Sequence, residues 1–235
     1  MRGCEVLLAT QIKPPIIVLN FKCFLEATGS KALQLSKIAE KVSKKTGVSM
    51  IICPQYTDLC RIASSIEIPV FSQHVDPILP GSWTGHILPE AIKEAGASGT
   101  LLNHSEYRLK LSDIEFILDR IGSLGLLALV CANNVRVASA IANLNPWGIA
   151  IEPPELIGTG IAVSKVKPEV ISDSVLRIKS ISKDILVFCG AGISIAEDVS
   201  IAFKLGVDGV LVASAYVKAK NPEVFLTSLC EASMV

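Results

Sequence analysis

Residues 185–212 read ILVFCGAGISIAEDVSIAFKLGVDGVLV. An apolar run, Ile185–Phe188, enters a glycine turn at Gly190-Ala191-Gly192. A segment of helical periodicity, Ile195–Leu205, follows, and then a second apolar run, Gly209–Val212. Both short runs are β-branched and nearly continuous rather than alternating, the pattern of strands buried on both faces. Two such strands joined through a helix form a β-α-β unit, whose strands lie parallel.

The same unit repeats outward in both directions. Upstream strands are expected at Ile16–Asn20, Ser49–Cys53, Pro69–Ser72, Thr100–Leu102, Leu126–Val130 and Gly148–Ile151. Helical segments alternate with them. One enters through Ala27–Ser30 and ends near Thr46 with Gly47 as its stop. Others run over Thr57–Ser65, Pro89–Ala95, Ser112–Ile121, Val135–Leu144 and Pro168–Ile181, and one over Pro222–Cys230 closes the chain. That is eight strand–helix units in 235 residues, about 29 residues each, a usual length for such a unit. The α/β class follows, and a single (β/α)8 barrel over residues 1–235 is the expected architecture. A doubly wound open sheet is the rival. Residues 1–13 read as an N-terminal extension; a flexible arm and a start-site artefact both fit it.

Composition narrows the function. The 22 Lys and Arg balance 22 Asp and Glu, which argues against a basic nucleic-acid platform. Half the residues are hydrophobic and 19% are charged, enough apolar material for a large core. No apolar run approaches the roughly 18 residues that span a bilayer, so the hydrophobicity belongs to a core and no membrane role is expected. Seven cysteines, at 4, 23, 53, 60, 131, 189 and 230, include no Cys-x-x-Cys pair. They read as free thiols acting as small core hydrophobes in a reducing compartment, hence a cytoplasmic protein.

In a barrel of this kind chemistry gathers where the strands end. The first exit carries Asn20-Phe21-Lys22, the fourth Asn103-His104-Ser105-Glu106, and the sixth Glu152-Pro153-Pro154-Glu155-Leu156-Ile157-Gly158-Thr159-Gly160. The seventh carries Gly190-Ala191-Gly192-Ile193-Ser194 and the eighth Ala213-Ser214-Ala215. Singly, each has a bland reading: Lys22 as a solvated loop lysine, His104 as a structural hydrogen-bonder, Glu106 as a helix-start carboxylate. Glu152 is more telling, because a carboxylate directly after an apolar strand is costly unless it is paired or reaches a cleft. Neither glycine turn completes Gly-x-Gly-x-x-Gly, since Ile195 and Val163 hold the last places, so dinucleotide binding is poorly supported.

In this order and strand placement the motifs resemble triosephosphate isomerase, over nearly the whole chain from Ile16 to about Ala219. The short form and the Glu152–Leu156 segment resemble the archaeal branch. The resemblance implies an aldose–ketose isomerase, an intramolecular oxidoreductase that interconverts dihydroxyacetone phosphate and D-glyceraldehyde 3-phosphate in glycolysis and gluconeogenesis. Glu152 would be the base, His104 the electrophile and Lys22 the cation on the substrate oxygen and phosphate, with Asn20 orienting that oxygen. Residues 153–160 match a closing lid. Amides at Ile157, Gly158, Gly192, Ala213 and Ser214 would hold the phosphate, although many members carry two glycines where Ala213 and Ser214 stand. No metal or organic cofactor is implied. A helix starting near Ser105 or Glu106 would keep His104 neutral. The loop from Gln73 to His86, with Trp83-Thr84-Gly85, resembles the segment that docks into a neighbouring subunit, so a homodimer or homotetramer is expected. Rival readings are a sugar-phosphate aldolase, an epimerase or a phosphoribosyl-type barrel, and a non-enzymatic scaffold. The aldolase lacks its late-strand Schiff-base lysine and the metal epimerase lacks clustered His and Asp.

Overall fold

A computed structural model describes residues 12–153 and 168–234. The eight strands are β1 (Ile16–Asn20), β2 (Ser49–Cys53), β3 (Phe71–Ser72), β4 (Gly99–Leu102), β5 (Leu127–Ala132), β6 (Gly148–Ile151), β7 (Leu186–Cys189) and β8 (Gly209–Val212). All pairings are parallel, in the order β2-β1-β8-β7-β6-β5-β4-β3. The bridge between Ile52 and Val70 joins the two ends and closes the sheet into a barrel. The open-sheet alternative is thereby excluded. The third strand is shorter than expected because Pro69 has no N–H to give: its carbonyl accepts from Ile52 N at 3.0 Å, and the regular ladder starts at Phe71.

Helices fill the crossovers: α1 (Ser30–Thr46), α2 (Tyr56–Ala63), α3 (Pro89–Glu94), α4 (Leu111–Ser123), α5 (Val135–Ala142), α6 (Pro168–Ile181), α7 (Ala196–Lys204) and α9 (Pro222–Ser233). A short helix absent from the sequence reading, α8 (Ser214–Val217), follows β8. Gly47 ends α1 as expected, in the left-handed conformation (φ 78°) that glycine adopts without steric cost. The N-terminal extension expected at 1–13 lies almost wholly outside the described residues.

Successive strand residues face opposite sides, and this sorts the core into two. Ile16, Val18, Ile51, Cys53, Leu101, Leu129, Cys131, Ala150, Phe188 and Leu211 fill the barrel. Ile17, Leu19, Ile52, Leu102, Val130, Ile149 and Ile151 pack outward against the helices. With so few aromatics, the floor of the barrel is made by three of them. Trp147 lies 5.7 Å from Phe71 and 5.6 Å from Phe188, centroid to centroid. Glycine at position 209 makes this possible, since a Cβ there would come within 2.5 Å of Phe188 Cε1.

Four of the cysteines, Cys53, Cys131, Cys189 and Cys230, are buried as expected. Cys23 and Cys60 are exposed instead. Cys23 leaves β1 in a loop, and Cys60 sits on the outer face of α2. Cys4 lies outside the described residues.

Candidate active site

The alternation that builds the core also builds the site. Asn20 and Glu152 continue the inward-facing rows of β1 (Ile16, Val18) and β6 (Gly148, Ala150). They therefore emerge at the carboxyl mouth of the barrel. Asn20, Lys22, His104, Glu106, Glu152, Gly192, Ala213 and Ser214 line a single cleft of about 280 Å³ there. Five strand exits thus deliver the expected residues to one place. Ile157 and Gly158 lie outside the described residues, as does the lid beyond Pro153.

Lys22 takes an unusual backbone conformation for a side-chain-bearing residue, φ 46°. Three contacts hold it. Its N–H donates to Asn20 Oδ1 at 3.0 Å, its carbonyl accepts from Gln73 Nε2 at 3.0 Å, and its ammonium meets Glu106 Oε1 at 2.8 Å. The half-exposed Glu106 thus holds the ammonium at the cleft wall. That pairing had no signal in the sequence.

His104 is buried. Its Nδ1 accepts the Glu106 N–H at 3.2 Å, which leaves the proton on Nε2, and Nε2 lies 3.4 Å from Glu152 Oε1. Glu152 has no exposed surface. Among the described residues its Oε2 receives a long 3.4 Å hydrogen bond from Ser105 N–H, the Cys131 thiol also donates to the carboxyl, and its buried Oε1 accepts no hydrogen bond. Such a carboxylate is poorly solvated. Burial pushes its pKa from the ordinary 4.5 to about 7, against the opposing Cys131 thiol, the Ser105 N–H and the charges of Arg108 and Lys22. Burial, then the Lys22 charge, lowers His104 from 6.5 to about 4, with Glu106 opposing and Arg108 reinforcing. At neutral pH the imidazole is uncharged and the carboxyl is poised to exchange a proton.

The neutral imidazole has a different origin from the one expected. Helix α4 begins at Leu111, not near Ser105. Residues 104–107 form a single turn, with Tyr107 N–H on His104 O at 2.8 Å. The amide of Leu109 is taken by the Asn103 side chain at 2.9 Å, so a helical ladder cannot run back through it.

Opposite Glu152, position 190 has no room for a side chain: a Cβ there would lie 2.5 Å from Glu152 Cγ. Gly190 is thus the space the glutamate stem occupies, a role invisible in one dimension. The next turn opens at Gly192 (φ 75°). Asp198 accepts the amides of Ser194 and Ile195 at 2.9 and 3.1 Å, which leaves the earlier part of this turn to face the cleft. Across the mouth, Ser214 opens α8. That helix is anchored by buried Tyr216, whose hydroxyl donates to Leu35 O at 2.7 Å. No cluster of three or more His, Cys, Asp or Glu suited to a metal occurs among the described residues.

A family model described as triosephosphate isomerase matches residues 15–233. The chain belongs to the triosephosphate isomerase family. It is 53% identical to the triosephosphate isomerase of Methanocaldococcus jannaschii over 208 residues, 88% of this chain and 95% of that one. It is 49% identical to the triosephosphate isomerase of Methanobrevibacter smithii over 215 residues, covering 92% of this chain and 97% of that one. The figures for the triosephosphate isomerase of Methanosarcina mazei are 49%, 92% and 97%. The family match at residues 15–233 thus covers the barrel and all five strand exits that form the cleft of this triosephosphate isomerase family member.

The two displaced pKa values give stability a defined pH dependence. Below pH 4.5 Glu152 is protonated whether the chain is folded or unfolded. As pH rises to about 7 the unfolded chain has released that proton while the folded one keeps it, so stability falls. His104 acts in the opposite sense between about 4 and 6.5, because there the unfolded chain binds the extra proton. Glu152→Gln removes only the first effect. Melting followed by circular dichroism should show the variant more stable than wild type at pH 8, with the gain vanishing at pH 4. An equal difference at both pH values would show that Glu152 is not buried against its charge.

Proposed function

We propose that this chain interconverts dihydroxyacetone phosphate and D-glyceraldehyde 3-phosphate by proton transfer through an enediolate, serving glycolysis and gluconeogenesis. We further propose that residues 1–235 form one catalytic barrel, that it needs no metal or organic cofactor, and that it resides in the cytoplasm. The observation that carries the reaction is the juxtaposition of His104 Nε2 and Glu152 Oε1 at 3.4 Å beside Lys22.

Each role follows from the chemistry of the group. Removing a proton from carbon calls for a base that water does not stabilise, and the buried Glu152 carboxylate is such a base. Charge then develops on the substrate oxygens. The Nε2–H of neutral His104 gives its proton to the carbonyl oxygen as charge builds there, and the ring regains one from the neighbouring hydroxyl, so a proton moves between the two oxygens as Glu152 moves one between the two carbons. Lys22 supplies positive charge to the same oxygen and to the phosphate, and Asn20 fixes that oxygen's direction. Glu152 then returns the proton to the neighbouring carbon. Gly192, Ala213 and Ser214 offer backbone amides to the phosphate at the ends of β7 and β8, where barrels commonly bind it. Ile157 and Gly158 complete this set in the proposal. The small side chains of Ala213 and Ser214 permit the close approach that two glycines give elsewhere in the family.

A homo-oligomer, dimer or tetramer, is part of the same proposal. Leu79 and Trp83 are half exposed on the loop after β3. Ile78, beside Leu79 in the same loop, is buried at 6%, because its N–H returns to Asp76 O and turns the chain inward. Next to Lys22 lies a second cavity, about 670 Å³, lined by Cys23, Tyr56, Gln73, His74 and Tyr107. In this proposal a neighbouring copy's loop, led by Trp83 and Thr84, occupies that cavity, whose lining is both apolar and polar.

A coupled assay of the purified protein, with neither metal nor nucleotide added to the isomerase step, should register turnover of both triose phosphates. Glu152→Asp, which withdraws the carboxylate by one methylene, should slow kcat by about 10²-fold; unchanged turnover would remove Glu152 as the base. In light scattering, wild type should give the mass of an oligomer while Thr84→Arg shifts toward smaller species. A monomeric wild type would refute it.

A further inference from the structure

His104 points where strand alternation would not send it. In β4, Leu101 lies in the barrel interior and Leu102 packs outward against the helices. Continued regularly, Asn103 would face in and His104 would face out with Leu102. Instead His104 lines the cleft with Glu152. The change of direction occurs at Asn103, whose backbone is left-handed (φ 55°), a conformation that a residue with a Cβ adopts only against steric cost.

Asn103 is held in that conformation from three sides. It is buried, at 5% exposure. Its Nδ2 donates to Cys131 O on β5 at 2.8 Å. Its Oδ1 accepts Leu109 N–H at 2.9 Å, ahead of α4. Its carbonyl accepts Arg108 Nη1 at 2.8 Å. The bond to β5 matters for the chemistry, because Cys131 pairs with Ala150 of β6 and Glu152 N–H donates to Ala132 O at 2.8 Å. One side chain therefore fixes both the direction of His104 and its registry with the strand that carries Glu152.

We propose that Asn103, clamped by Arg108, is a positioning residue that turns His104 out of its strand direction and sets its distance to Glu152. The proposal rests on His104 acting on the substrate carbonyl. Glycine would accept the same φ but supply neither side-chain bond, so the clamp and the turn can be separated. The groups that face His104 are Glu152, Lys22, Glu106 and Arg108. Because Arg108 is one of them, it is replaced by lysine, which keeps the charge, and Asn103→Gly alters no charge at all.

The test compares Asn103→Gly, Asn103→Ala, Arg108→Lys and His104→Gln with wild type by steady-state kinetics and by ¹⁵N spectra of the histidine rings. Wild type should show His104 as a single neutral Nε2–H tautomer at pH 6. Asn103→Gly should stay folded, lose about tenfold or more in kcat with KM changed less than about twofold, and show a mixture of tautomers. Asn103→Ala should lose more, since it forfeits both the bonds and the easy left-handed turn. Arg108→Lys, which can still donate to the Asn103 carbonyl, should stay close to wild type. If His104→Gln is inactive while Asn103→Gly keeps wild-type kcat and a single tautomer, the positioning role is overturned. If His104→Gln itself turns over normally, the failure lies in the role given to His104. Should Asn103→Ala fail to fold, Asn103→Gly still decides the matter.

Discussion

A carboxylate without solvent contact sits at the mouth of this barrel, and most of the site is arranged around that fact. Among the described residues Glu152 has one oxygen in a long contact with the Ser105 amide, a hydrogen bond from the Cys131 thiol, and its other oxygen facing an imidazole without a hydrogen bond. Water would solvate such a group far better. What the chain gains is a carboxyl whose affinity for a proton matches neutral pH. The neighbouring imidazole is kept uncharged by the same burial, so the two groups differ in the sense of their displacement: the acid is pushed up and the base pushed down. In the proposed reaction, two titratable groups driven apart in this way divide the labour of moving a proton and stabilising an oxyanion.

The barrel makes this arrangement inexpensive to reach. Closure of eight parallel strands forces alternate residues inward, and the last inward positions of β1 and β6 become neighbours across the mouth without any special loop. Asn20 and Glu152 arrive by this route. Gly190 follows the inward row of β7 and must lack a side chain because Glu152 already fills that space. The glycine at 209 does the same for Phe188 at the opposite end. One packing rule therefore explains a closed, dry floor and an open, polar mouth.

Much of this was legible in the chain. Apolar runs with helical segments between them marked out the eight units, and a carboxylate at the end of Gly148–Ile151 drew notice as a site candidate, since charge beside an apolar run has few harmless explanations. Lys22 and His104 were legible only in company, through their order along the chain. What stayed hidden depends on residues far apart in sequence. No local pattern says that position 190 abuts Glu152, that Glu106 holds Lys22, or that Asn103 reverses the strand direction before His104. The helix expected at Ser105 failed for a related reason: Ser-Glu is a good helix start by composition, but the Asn103 side chain claims the Leu109 amide first. The exposed Cys23 and Cys60 went astray because a cysteine's burial follows its position on an element, not its type.

Because Glu152 is assigned the proton that moves between carbons, the most direct measurement follows that proton. Dihydroxyacetone phosphate is turned over in deuterium oxide, and deuterium on the product carbon is counted by NMR for wild type and Glu152→Gln. Wild type should place solvent deuterium on the carbon that receives the proton. Glu152→Gln should place none above the uncatalysed background while remaining folded. Exchange by Glu152→Gln at the wild-type rate would contradict the assignment and move the base elsewhere in the cleft.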